Sequence, residues 1–212
     1  MTDDLIQRLS SGLKPVPRTA MRRLLAGALA LGAVMSFIMM MPWLGLRADI
    51  GSVGDDMIFW TKFGYTVAFA AFGGAATLVL ARPEGRTRRP WVAALVLAGV
   101  LGIAAAIQMI GAPAEEKRAL IMGSTALVCP WYIVTLSLPV LAAVLAITRR
   151  FAPTRPTLAG LAAGMLSGGV GAAVYSLHCG ENGLMFLLAW YTLGIAIVSL
   201  IGALLGRFVL RW

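Results

Sequence analysis

Six runs of about 20 mostly apolar residues divide this sequence, at 24–46, 57–81, 91–111, 123–147, 158–177 and 184–206. A helix of about 20 residues crosses the roughly 30 Å hydrocarbon core of a bilayer. No water is present there to pair exposed backbone groups, so the chain must satisfy them within each helix. The runs therefore predict an all-α, polytopic membrane protein with six transmembrane helices. Composition agrees: 13% of the residues are charged, where a soluble domain carries about a quarter. The first run is not expected to be a cleaved signal peptide. It exceeds the roughly 7–15 apolar residues of such a core, follows a tail of residues 1–23, and lacks a small-residue cleavage site.

A net charge of +9 would by itself suggest nucleic acid. Placement argues otherwise, because the basic residues flank apolar runs, where they set orientation in a bilayer. Of the 18 Lys and Arg, all but Arg47, Lys62, Lys117 and Arg118 fall on one side of the six-span layout. Positive residues stay cytoplasmic, so both termini are expected in the cytoplasm. Asp49, Asp55, Asp56, Glu115, Glu116 and Glu181 then lie on the outer side. The organisation is a cytoplasmic tail (1–23), a six-helix transmembrane domain (24–206) and a short cytoplasmic C-terminus (207–212). No direct contact with nucleic acid is expected.

Lipid tails are as apolar as leucine, so spans associate through close packing of small residues. Gly160, Gly164 and Gly168 recur four apart in the fifth run and predict a packing seam. Pro130 and Pro139 are expected to kink the fourth span, with Thr135 and Ser137 placed to satisfy the freed carbonyls. No ionisable residue lies near the centre of a span, and Lys62 and Gln108 sit nearer the ends. Pumps and transporters usually carry such residues, and many show internal repeats, so their absence weighs against a channel or transporter. No P-loop, HExxH or GxSxG motif is present. The chain is not expected to be an enzyme, and no catalytic residue is assigned.

The reactive chemistry is concentrated in one place. Residues 176–191 read SLHCGENGLMFLLAWY and hold the only histidine, His178, beside Cys179 and Glu181. The other cysteine, Cys129, lies in LVCPWY near the same side of the membrane. Three readings stay open. The pair forms a structural disulfide, as oxidising compartments allow. Alternatively it is a thiol sensor tuned by His178 and nearby helix ends. Or Cys129, Cys179 and His178, with Glu181, hold a metal such as zinc or cadmium, although the spacing matches no established motif. No cofactor is otherwise expected.

The tail carries a second signal. Asp3 and Asp4 suit the positive end of a helix dipole, and Thr2 suits its cap. Leu5, Ile6, Leu9 and Leu13 then share one face at helical spacing. A helix of about ten residues is marginal alone in water, so this stripe needs a partner, either a protein or the inner leaflet.

Several blocks together resemble one family. They are CP in the fourth run, LHCGEN followed by F and WYTLGI within 177–195, the terminal GRFVLRW, and TDDLIQRLSSGLKPVPR at the start. These resemble the NrsF-type (negative regulator of sigma F) family of bacterial inner-membrane anti-sigma factors, over essentially the whole chain. One departure is Gly180, where proline is expected in an HCPE-like block. The resemblance implies sequestration of an extracytoplasmic-function sigma factor by the cytoplasmic part, with Asp3, Asp4, Leu5, Ile6, Leu9 and Leu13 as the binding element. It also implies that Cys129 and Cys179, with His178 and Glu181, report oxidative or heavy-metal stress from the periplasmic side. The alternative function is a membrane thiol–disulfide oxidoreductase, against which stands the lack of any CxxC.

Overall fold

The computed structural model describes Gln7, Ser11 and residues 19–81 and 88–211. Asp3, Asp4, Leu5, Ile6, Leu9 and Leu13, the expected binding stripe of the tail, lie outside the described residues. Six helices are long and apolar enough to cross a membrane. They are α1 (Ala20–Trp43), α2 (Met57–Leu80), α3 (Arg88–Gly111), α5 (Cys129–Arg149), α6 (Pro156–Ser176) and α7 (Leu184–Val209). A short helix, α4 (Ala114–Met122), joins α3 to α5. Among the described residues there is no strand.

The chain runs up and down, so every second connection meets at the same end. One end gathers Arg22, Arg23, Arg88, Arg89, Arg149, Arg150, Arg155 and Arg207, all exposed. The other carries the loop of His178 and Cys179. There Trp43 closes α1, Trp60 opens α2 and Trp131 opens α5, each with about half or more of its surface exposed. Such amphipathic rings mark a boundary between hydrocarbon and water.

The fifth span, α6, is the centre of the bundle. Within its most apolar stretch 78% of the residues are buried, against 17% in α3, which lies at the periphery. The sequence explains why. The helix reads GLAAGMLSGGVGAA, so neighbouring backbones can approach on several faces at once. The expected glycine seam is present, and its partner is α7. Gly160 lies against Gly202 and Gly206, Gly164 against Val198 and Ser199, and Gly168 against Ile195. A Cβ at Gly164 would stand 2.5 Å from the Val198 carbonyl oxygen. Other faces of α6 meet α2 at Gly169 and α5 at Gly171. Buried hydroxyls add a few polar ties, as where Ser36 donates to the carbonyls of Gly32 (2.9 Å) and Leu136 (2.5 Å), joining α1 to α5.

The fourth span differs from its expected form. It begins at Cys129 rather than near residue 123, because 123–128 form a series of turns. Gly123 has φ +50°, which breaks helical continuity after α4. Pro130 consequently occupies the first turn of α5, where its missing N–H has no partner to lose, so it does not kink the span. Pro139 does lie inside the helix. Thr135 and Ser137 donate to the carbonyls of Trp131 (2.8 Å) and Ile133 (2.6 Å), four and two residues upstream of the Thr135 carbonyl that Pro139 leaves free, and not to that carbonyl as expected.

Two apolar clusters divide the core lengthwise. The one toward the arginine-rich end is aliphatic, built from Leu25, Ala76, Leu80, Val144, Ala159, Ala162 and Leu210. The other holds Met40, Tyr65, Cys129, Tyr175, Cys179, Phe186 and Tyr191. This second cluster lies beneath the His178 loop.

Candidate functional site: a sealed cysteine pair

The loop between α6 and α7 begins where the amides of His178 and Cys179 both donate to the Tyr175 carbonyl at 3.0 Å. Residues 179–183 then run without regular structure. Backbone groups released from a helix end must find partners elsewhere, and here other elements supply them.

Lys62, in the second turn of α2, is 1% exposed. Its ammonium donates to the carbonyls of Cys179 and Glu181, both at 2.8 Å. Gln108, near the end of α3, accepts from the Leu184 amide at 2.8 Å and donates to the Asn182 carbonyl at 3.4 Å. Glu181 reaches toward α5. One carboxylate oxygen accepts from the Ser124 amide (2.8 Å), the Ser124 hydroxyl (2.6 Å) and the Thr125 hydroxyl (3.4 Å). Gly123 makes this approach feasible, since a Cβ there would collide with that carboxylate. His178 turns to the chain after α1, its Nδ1 lying 3.2 Å from the Gly45 carbonyl oxygen. A carbonyl only accepts, so Nδ1 carries the proton in this contact.

A second knot anchors the same loop. The Arg47 amide donates to the Leu177 carbonyl at 3.1 Å. Its guanidinium pairs with Asp49 at 2.5 Å and Asp56 at 3.2 Å. Asp56 also caps α2, accepting from the amides of Ile58 and Phe59 at 3.0 and 3.1 Å. The hydrogen bond from Arg47 holds the Asp49 carboxyl below its ordinary range. Burial pushes Asp56 upward, but the two amides and Arg47 outweigh it and leave that carboxyl low as well. Both carboxyls are therefore ionised at neutral pH, and the knot is lost only in acid, as pH falls through their lowered values.

Beneath this roof lie the two thiols. Cys129 opens α5 and is fully buried, Cys179 is 3% exposed, and both are free. Both belong to the same apolar cluster. Two tyrosines accompany them. Tyr175 and Tyr191 belong to the same apolar cluster as the cysteines. Neither hydroxyl completes a hydrogen bond, although both residues are fully buried. An unsatisfied buried hydroxyl costs about 1–3 kcal/mol. The Tyr175 ring is fixed by neighbouring rings, with centroids 5.6 Å from Tyr191, 5.8 Å from His178 and 5.9 Å from Tyr132. Tyr191 closes a π-helical turn, Leu187–Tyr191, an arrangement frequent at functional sites. The neighbouring Trp190 points away and donates to the Ile121 carbonyl at 2.9 Å.

Of the four residues singled out in the sequence, the structure thus separates two roles. Cys129 and Cys179 come together in the interior. His178 and Glu181 hold the loop to its neighbours. Among the described residues no group of three or more His, Cys, Asp and Glu side chains is gathered to hold a metal ion, so two thiols are the soft ligands on offer. Sequence reasoning missed Lys62, Tyr175, Tyr191 and Ser124. Lys62 did give a signal, since a lysine within an apolar run must find acceptors.

Lys62→Met removes both bonds to the loop and leaves two carbonyls unpaired. A hydrogen bond to a charged group contributes about 1.5–3 kcal/mol, and 1.4 kcal/mol is tenfold. Labelling of Cys179 by a membrane-impermeant maleimide should therefore accelerate at least tenfold in this variant. An unchanged rate would show that Lys62 does not seal the pair.

The family described as "Negative regulator of sigma F" matches residues 9–212. The chain is 41% identical over 213 residues to the "Probable anti-sigma-F factor NrsF" of Azospira oryzae, covering 100% of this chain and 99% of that protein. It is 39% identical over 216 residues to the "Anti-sigma-F factor NrsF" of Caulobacter vibrioides, with the same coverage of both chains. No solved structure matches. These full-length similarities agree with the motif resemblance: the chain belongs to the NrsF family of negative regulators of sigma F.

Proposed function

We propose that this protein is an anti-sigma factor of the bacterial inner membrane. It holds an extracytoplasmic-function sigma factor of the sigma-F type at its cytoplasmic side. It releases that factor when oxidants or heavy-metal ions reach the Cys129–Cys179 pair from the periplasmic side. The anti-sigma role is carried by the names of the two full-length relatives. The sensing role is supported by one observation above all: two free thiols from different helices share a sealed, apolar cluster. Nothing in such a cluster requires thiols for packing alone.

Joining the two sulfurs in a disulfide, or through one thiophilic ion, replaces two independent side chains by a single link. A link of fixed length and dihedral between the start of α5 and the loop after α6 displaces those elements unless the resting geometry already suits it. Along the glycine seam α6 lies against the backbone of α7, and close-packed interiors transmit displacement. A shift at the His178 end then reaches the arginine-rich end, where the sigma factor is held. The binding element is the tail, with Leu5, Ile6, Leu9 and Leu13 as its apolar face and Asp3 and Asp4 at its start.

The two cysteines should act as a unit, since a bridge or shared ion needs both. Cys129→Ser, Cys179→Ser and the double variant are expected to share one signalling phenotype in a reporter strain. Additive effects, or a normal response in either single variant, would contradict the pairing.

The tail prediction is quantitative. Burial of one leucine contributes about 1.5–3 kcal/mol, so losing two weakens binding by roughly two to four orders of magnitude. Leu5→Asp with Leu9→Asp should leave the protein in the membrane but abolish co-purification of the sigma factor, giving constitutive transcription of its targets. Retention of the sigma factor at the unmodified level would move the binding site elsewhere.

A further inference from the structure

Tyr175 and Tyr191 combine three properties. Each is fully buried, each hydroxyl is unsatisfied, and each belongs to the apolar cluster that holds the cysteine pair. Phenylalanine would fill the same volume without an orphaned polar group, so the resting state does not account for these hydroxyls. Thiols do not answer the need either, because sulfur in a thiol is a weak acceptor and S–H a weak donor. Two donors without acceptors, on rings held in place by their neighbours, describe a site made for a group that the resting protein lacks.

We propose that the Tyr175 and Tyr191 hydroxyls bind the oxygen of a sulfenic acid formed at the cysteine pair, and so set the pair's reactivity toward hydroperoxides. The inference rests on the reading of the cysteines as a sensor. In the first step a thiol sulfur attacks the distal oxygen of a hydroperoxide ROOH. An S–O bond forms, the O–O bond breaks, and the thiol proton leaves with the alkoxide as ROH. Sulfur loses two electrons and the peroxide gains them. In the second step the other thiol attacks the sulfenic sulfur. An S–S bond forms, the S–O bond breaks, and hydroxide leaves with the second thiol proton as water. Tyr191 donates to an oxygen on Cys179, and Tyr175 to one on Cys129. Two such donors favour oxygen transfer over simple alkylation, which places no oxygen on sulfur.

The test separates these two reactions. In Cys129→Ser protein the sulfenic acid on Cys179 has no resolving partner, so cumene hydroperoxide followed by dimedone traps it as an adduct measurable by mass spectrometry. Adding Tyr191→Phe should slow adduct formation about tenfold, equivalent to about 1.4 kcal/mol, while labelling of Cys179 by N-ethylmaleimide stays within twofold. Tyr175→Phe in Cys179→Ser protein should act in the same way on Cys129. Adduct formation at the parent rate overturns the inference and leaves the sensor reading intact. Parallel loss of adduct and maleimide labelling also overturns it, because the tyrosines then only pack. If no adduct forms with both tyrosines present, the inference falls together with hydroperoxide sensing. A normal stress response in Cys179→Ser cells would remove the sensor reading itself.

Discussion

One ammonium group decides how the His178 end is built. Lys62 is buried in the second turn of α2, and its two carbonyl partners belong to residues 179 and 181. A buried cation is tolerable only when fully hydrogen-bonded, so the loop that supplies those carbonyls is bound to one position. That position sets the others. It places Glu181 against Ser124 and Thr125, just upstream of Cys129, and it places Cys179 in the cluster that contains Cys129. The polar roof and the apolar cysteine cluster are therefore two sides of one arrangement.

The proposed sensing has to work through this seal. Both thiols are almost entirely buried, so a large or strongly hydrated reagent meets them only after the roof opens. Small, weakly polar oxidants face a lower barrier, because they need no water shell within an apolar cluster. The roof itself is held by groups of different strength. The Arg47 knot and the Lys62 bonds involve charges, whereas the His178 and Gln108 contacts, at 3.2 and 3.4 Å on their longer bonds, are weaker. Local opening is expected to begin on the His178 and Gln108 sides.

The spans were legible because about 20 apolar residues leave few alternatives to a membrane helix, and because flanking arginines gather at one end. The Gly160–Gly164–Gly168 seam was legible as a row of small residues, but its partner was not, since Gly202 and Gly206 in α7 become meaningful only once the two helices are placed together. The start of α5 was misread because Ala126, Leu127 and Val128 continue the apolar run through turns, and hydropathy does not register a positive φ at Gly123. The cysteines, His178 and Glu181 stood out by rarity. Their division into interior thiols and loop anchors did not, because it depends on partners 50 to more than 100 residues away. Tyr191 fell inside the WYTLGI block and Tyr175 in no block, but neither stood out as a site residue, since an aromatic residue in a membrane helix is ordinarily packing.

In the proposed mechanism, a change of bonding at Cys129 and Cys179 alters sigma-factor retention at the opposite end of the bundle. Full-length protein in nanodiscs, holding its cognate sigma factor, provides the test. Dissociation is followed during titration with a hydroperoxide while the thiol state is read by mass spectrometry on the same samples. Release is expected to track formation of the Cys129–Cys179 disulfide and to reverse on reduction. Complete disulfide formation with the sigma factor still bound, or release while both thiols remain free, would contradict it.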